Sequence, residues 1–145
     1  MKYEIRRLGE KDFSLALDLL SNWNVGGENY QHAPRSKNEI IHLLRNENNI
    51  VIAAISNEKA IGGLTGYILP MFTRKENKFF LYEIEIHKDY RRKGVGTNLL
   101  LEIFEFTKTL NIQSIFLLTE PSNHAAKSFY NKLGGKYKMI PKYTF

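Results

Sequence analysis

In the segment Arg91-Arg92-Lys93-Gly94-Val95-Gly96, three cationic side chains and two glycines stand between a strand-like run and a helix-like one. A tight turn of this composition exposes successive backbone N–H groups, with no side chain in the way at Gly94 and Gly96. The first turn of the helix that follows leaves such donors unpaired and brings the positive end of its dipole to the same place. Phosphate oxygens are the natural ligand of that combination. Arg91, Arg92 and Lys93 add mobile positive charge, and an arginine can hold a phosphate with two donors. The segment fits neither G-x-G-x-x-G nor G-x-x-x-x-G-K-[ST], the two familiar nucleotide patterns. A glycine-assisted turn carrying solvated charges is the competing account of the same six residues.

Two carboxylates precede this junction. In the run from Phe79 to His87 a regular strand places Leu81, Glu83 and Glu85 on one face and Tyr82, Ile84 and Ile86 on the other, unless a bulge redirects one of them. The elements that must position these groups can be read from periodicity. Residues 3–8 form a short first strand, and residues 9–23 a helix with Leu15, Leu19 and Leu20 as its apolar stripe. A loop rich in glycine and side-chain amides ends at Pro34. Ser36, three residues before Glu39, opens a second helix with a capping box. Residues 49–56 and 60–70 flank the polar pair Glu58 and Lys59 and read as an antiparallel hairpin that turns at Asn57. Beyond the cationic segment comes a long helix to Asn111 with Leu99, Leu100, Ile103, Phe104 and Leu110 inward, then a strand over 114–120 of the kind buried on both sides. A last helix over 123–135 packs through Ala125, Ala126, Phe129, Tyr130 and Leu133 and stops at Gly134. One or two final strands follow in residues 136–145. The expected class is α/β with a mixed sheet of six to seven strands and about four helices.

A chain of 145 residues is most simply one domain, from 1 to 145. No apolar run reaches the length of a membrane span, and the charged N-terminus has no hydrophobic stretch behind it. With no cysteine there is neither a disulfide framework nor a thiolate nucleophile. A cytoplasmic protein is the default expectation. The net charge of +6 is one-sided: residues 1–72 hold eight Lys or Arg against eight Asp or Glu, so the whole excess lies beyond them. An anionic partner would meet that second half. The charge has no zinc-finger, homeodomain or RNA-binding motif beside it, which leaves a nucleic acid unsupported as that partner. The four histidines show no metal-ligand spacing, and no metal is expected.

The segment from Arg91 to Gly96 fits the signature [QR]-x-x-G-x-[GA] and resembles the phosphate loop of the GNAT acyltransferase superfamily. The run "YEIEIHKDY" before it looks like that family's fourth strand. "NHAAKSFYNKLGG" looks like its second motif, in which an Asn opens a helix carrying Ala126, Phe129, Tyr130 and Gly134. The order of elements matches over the whole chain. The resemblance implies a mostly antiparallel sheet whose fourth and fifth strands splay apart to admit acetyl-CoA. The loop from Arg91 through Val95 and Gly96 to Thr97 would cradle the pyrophosphate. Backbone groups near Glu85 and Ile86 would pair with the pantetheine arm, and Asn123 would lie beside it.

Direct acetyl transfer to an amine needs a neutral nucleophile, a polarised thioester carbonyl and a proton for the departing thiolate. Glu83 and Glu85 are the candidate bases, with Glu83 preferred because it resembles an acidic residue in the corresponding strand of aminoglycoside 3-N-acetyltransferases. A carboxylate paired with Lys or Arg at a sheet edge is the alternative account. Tyr130 stands where the family often places its general acid, and an ordinary phenol, with a pKa near 10, is protonated at neutral pH. The same ring could simply pack on the sheet. Trp23, Glu28, Tyr30 and His32 share the first long loop, which would border the acceptor.

The motifs look most like the aminoglycoside 3-N-acetyltransferase branch. A polycationic acceptor, however, would favour an acidic cleft, and this chain is basic. A primary amine of a small molecule is therefore the expected substrate, with aminoglycosides and protein or peptide amines as alternatives. A non-catalytic acyl-CoA-binding or regulatory module is a reading of a different class. The resemblance also implies a homodimer. The aromatic and basic C-terminal segment could complete a sheet across a two-fold axis or finish a strand of its own monomer.

Overall fold

A computed structural model of the chain describes residues 1–22 and 35–145. The centre of the fold is a hairpin. Strands β2 (Asn49–Ser56) and β3 (Lys59–Leu69) are joined by Asn57 and Glu58, both at positive φ, which matches the right-handed twist of the strands on either side. Strand β1 (Glu4–Arg7) pairs antiparallel with β2, and β4 (Lys78–Ile86) antiparallel with β3. A three-residue strand β5 (Ser114–Phe116) lies parallel to the start of β4. The sheet order is β1-β2-β3-β4-β5.

Alternation along β2 sends its side chains to two cores. Ile50, Ile52 and Ala54 join Phe79, Leu81 and the helix residues Leu99, Leu100 and Ile103. Ala53 and Ile55 join Ala16, Leu19, Ile40 and Leu44. Helices α1 (Phe13–Asn22) and α2 (Lys37–Arg45) therefore cover one face of the sheet, while α3 (Val95–Thr109) covers the other, with α4 (His124–Lys132) beside it. The capping box is present: the Glu39 N–H donates to Ser36 Oγ, and Glu39 Oε2 accepts from the Ser36 N–H at 2.6 Å. No helix among the described residues is long and apolar enough to cross a membrane.

Several expectations are corrected. Among the described residues the sheet has five strands, not six or seven. Residues 136–145 form no strand: they lie exposed, Pro141 lacks an N–H for a ladder, and Met139, Ile140 and Tyr143 point into solvent. The strand expected over 114–120 stops at Phe116 and is not buried on both sides, because β5 is the edge of the described sheet and Ser114 and Phe116 are exposed. Leu20 and Leu110 turn outward. In α1 the inward positions are Ala16 and Leu19, and Leu110 comes after the last turn of α3.

Phe79 is wholly buried, and its ring fills the space over Gly66, where a Cβ would stand 2.3 Å from the ring. Phe79→Ala should cost about 3–5 kcal/mol through lost transfer energy and the cavity left behind. Phe72→Ala, at a fully exposed ring, should stay within about 0.5 kcal/mol. Urea unfolding midpoints of the two variants against the parent chain test the contrast.

Candidate active site

Strands β4 and β5 are in register for only three pairs, Lys78 with Ser114, Phe79 with Ile115 and Phe80 with Phe116. Past that point β4 continues to Ile86 with no described strand on its β5 side, and the chain after Phe116 diverges toward α4. An open cleft of about 890 Å³ fills the gap. Its walls are β4 from Leu81 to Ile86, the residues 117–119, the start of α3 and one side of α4. The structure thus brings most of the sequence-predicted residues to one place. Glu83, Glu85, Ile86, Arg91, Arg92, Gly94, Val95, Gly96, Thr97, Asn123 and Tyr130 all line the cleft. Lys93 does not; its Nζ turns back to donate to the Asp89 carbonyl at 2.8 Å and sits over the Tyr90 ring. Trp23, Glu28, Tyr30 and His32 lie outside the described residues.

The carboxylates on β4 owe their direction to a bulge. Thr65 pairs with Glu83 and Gly66 with Leu81, so Tyr82 is an extra residue without a partner on β3. The insertion reverses the alternation. Leu81 stays in the core with Phe79, whereas Glu83 and Glu85 take the opposite face, which corrects the grouping of Leu81 with the two glutamates. The two carboxylates then differ in their partners. Glu85 Oε1 accepts from Arg91 Nη2 at 2.7 Å, and Arg91 Nε also donates to the Ile86 carbonyl at 2.9 Å. Glu83 Oε2 accepts only from Thr65 Oγ1, at 3.2 Å, and no cation is paired with it among the described residues.

At the other end of the cleft, Arg92 and Gly94 both have positive φ, and Gly94 is the N-cap of α3 with no side-chain capping bond. Left-handed residues alternating in this way fold the backbone into an anion-receiving concavity. The first N–H groups of α3, at Val95, Gly96 and Thr97, are the donors that helix geometry leaves unpaired. Val95 is 1% exposed and anchors the helix start in the core, and Gly96 backs onto Phe129 of α4. This fixes the concavity against both walls of the cleft. Asn123 caps α4, its Oδ1 accepting from the Ala126 N–H at 3.0 Å, which leaves its amide nitrogen for other contacts.

Tyr130 lies half-buried against the core below α4, and burial pushes its phenol up. Its hydroxyl has no hydrogen-bond partner among the described residues. On the Glu83 face of β4, sequence reasoning missed a further group: Tyr67, Phe80, Tyr82 and Phe116. No sequence signal marks it, since the four come from three strands and meet only through their register. Burial, and then the charge of Glu83, push the Tyr67 phenol up. Among the described residues no cluster of histidine, aspartate and glutamate could hold a metal ion.

The model of the GNAT acetyltransferase family matches residues 14–135. The L-2,4-diaminobutyric acid acetyltransferase of Halalkalibacterium halodurans is 27% identical over 86 residues, which are 59% of this chain and 44% of that protein. N-alpha-acetyltransferase 30 of Schizosaccharomyces pombe is 37% identical over 65 residues, 44% of this chain and 43% of that one. The chain spans about half the length of the curated relatives it matches. Among solved structures, an aminoglycoside acetyltransferase from an uncultured soil metagenomic sample, in complex with trehalose, superposes with a TM-score of 0.89 at 21% identity, covering 99% of this chain and 95% of that one. AAC(6')-Iy in complex with a CoA-containing bisubstrate analogue superposes at 0.81 with 16% identity, covering 100% and 99% of the two chains. At these identities the likeness is one of fold.

The alkaline behaviour of the two phenols has a definite sign. Tyr67 and Tyr130 are raised in the folded state, so on alkalinisation the unfolded chain releases these protons first and binds fewer of them. Their contribution is complete below an unfolded pKa of about 10 and is lost as pH rises through the higher folded values. Stability should therefore decline above about pH 10, and Tyr130→Phe should flatten that decline. Urea midpoints taken at a series of alkaline pH values test this; an identical slope in the variant would contradict it.

Proposed function

This chain belongs to the GNAT acetyltransferase family, and on that premise we propose that it transfers an acetyl group directly from acetyl-CoA to a primary amine of a small molecule. The observation that carries the proposal is the cleft between β4 and β5, which opens onto the uncapped N-terminus of α3. The residues present suit the donor. A concavity of backbone N–H groups at Val95, Gly96 and Thr97, with Arg92 beside it, would hold the phosphates. The unpartnered edge of β4 beyond Leu81 offers backbone groups to the amides of an extended arm, as an added strand would. When bound, acetyl-CoA supplies an acyl group activated as a thioester.

The remaining chemistry falls to side chains. Glu83 draws the ammonium of the acceptor to its carboxylate and takes a proton from it, directly or through an ordered water, so that the nitrogen can attack. Glu85 is the weaker candidate because Arg91 occupies one of its oxygens. The Glu85–Arg91 pair, half-exposed, is worth at most about 1 kcal/mol on its own, but it ties the end of β4 to the turn that leads into the phosphate loop. Tyr130 keeps its proton through the neutral range and donates it to the departing sulfur. The backbone N–H near Ile86 is the proposed donor to the carbonyl oxygen. Names of relatives favour small amines: diaminobutyrate and aminoglycosides each appear among them.

Two measurements test this reading. Calorimetric titration with acetyl-CoA should give micromolar binding that Gly94→Val weakens at least about tenfold, because a β-branched residue resists the φ of 81° at that position. No binding to the parent chain would sink the proposal. Once an acceptor is in hand, Glu83→Gln should lower kcat by about 10²–10⁴-fold while leaving acetyl-CoA affinity unchanged. Equal activity in the two proteins would remove Glu83 from the mechanism.

A further inference from the structure

The face of the sheet that carries Glu83 also carries four aromatic rings that neither hydrophobic core takes in. Phe80 stands opposite Tyr67 on β3 and opposite Phe116 on β5. Phe80 and Phe116 lie flat on one another, centroids 4.8 Å apart and planes within 5°. Tyr82, the bulged residue, stands edge-on to Phe80 at 5.6 Å and to Tyr67 at 6.0 Å. The row is substantially open: Tyr67 is 38%, Tyr82 57% and Phe116 39% exposed. It also adjoins the cleft, since Tyr82 and Glu83 are consecutive lining residues.

Resting on the acetyltransferase reading, we infer that Tyr67, Phe80, Tyr82 and Phe116 form the acceptor wall and select an arylalkyl monoamine, the ammonium at Glu83 and the aromatic body against the rings. Charge argues for a single amine. Of the two carboxylates on this face of β4, Glu85 is already paired with Arg91, which leaves one oxyanion group for one cation. A polyamine would bring several positive charges to a wall that can neutralise one of them. Shape argues for a flat, apolar body. A stacked pair beside an upright ring offers both a face and an edge to another aromatic ring, and the same ring faces attract the approaching ammonium. The bulge is what makes the arrangement possible, because it brings Tyr82 and Glu83 to adjacent places on the same side of the strand.

The test is steady-state acetylation with acetyl-CoA and three acceptors: phenethylamine, kanamycin and L-2,4-diaminobutyrate. The parent chain should give its highest kcat/KM with phenethylamine. Tyr82→Ala and Phe116→Ala, both at exposed rings, should raise the KM for phenethylamine at least about tenfold, and Phe116→Ala, which lies outside the cleft lining, should do so with the calorimetric affinity for acetyl-CoA unchanged. If acetyl-CoA binds and kanamycin or diaminobutyrate is the better substrate, the inference is overturned and the acetyltransferase reading stands. Binding of acetyl-CoA with no turnover of any of the three also overturns it. So does an unchanged KM in both variants, including the case in which Tyr82→Ala instead dissolves a dimer seen by sedimentation, which would give the wall to a second copy of the chain. Failure of acetyl-CoA to bind would remove the premise as well.

Discussion

The unpartnered Tyr82 in β4 is the constraint on which the rest of the site depends. Up to Leu81 the strand is an ordinary member of the sheet, with Phe79 and Leu81 buried in the core shared with α3. One residue later the alternation is reversed, and from Glu83 onward the polar positions face away from that core. A β-bulge also bends its strand and increases its local twist. β4 makes its last pair with β5 at Phe80, two residues before the bulge. The same local irregularity therefore stands beside the opening of the cleft and aims the carboxylates at it. In a strand that stayed regular through Tyr82, Glu83 would share the face of Leu81 and would have to be accommodated in an apolar core.

A second fixed point holds the other end. Val95 is packed in the core while the residue before it, Gly94, is in the left-handed region, so the chain must leave the turn and enter α3 within one residue. That is why the first N–H groups of the helix meet the cleft with no side chain over them. Arg91 joins the two ends, since its guanidinium reaches the Glu85 carboxylate and the Ile86 carbonyl on β4 from the turn itself. Its charge is thereby partly neutralised by Glu85 at a half-exposed position. Of the three cations in the segment, Lys93 is turned away, while Arg91 and Arg92 both line the cleft.

The helix that closes the cleft from the far side has no wholly buried residue. Phe129, Tyr130 and Leu133 rest on the core without entering it, and Asn123 secures the first turn. A wall attached this lightly suits a surface that must admit a long ligand between itself and the sheet. It also leaves the Tyr130 phenol in partly apolar surroundings, where the protonated form is favoured.

What the sequence determined by itself was whatever depends on near neighbours in the chain. The capping box at Ser36 and Glu39, the turn at Asn57, the helix stop at Gly134 and the glycine-marked entry to α3 each rest on a backbone preference within a few residues. The order of elements and the pairing of the central hairpin were legible for the same reason, whereas the approach of the Arg91–Gly96 loop and the last helix to one site was implied only by the family resemblance. The residues whose roles rest on register were not. Whether Leu81 or Phe80 shares a face with Glu83 is decided by one unpaired residue, and nothing in the string "LYEIE" says that Tyr82 is the one left out. The early end of β5 and the absence of a strand over 136–145 depend on whether an edge is there to pair with, which no local propensity contains. The aromatic row and the capture of Glu85 by Arg91 likewise exist only once three strands and a turn are assembled. The row depends on contacts across three strands, and the Glu85–Arg91 pair on a turn that brings the chain back to the end of β4, and only the tertiary structure supplies both.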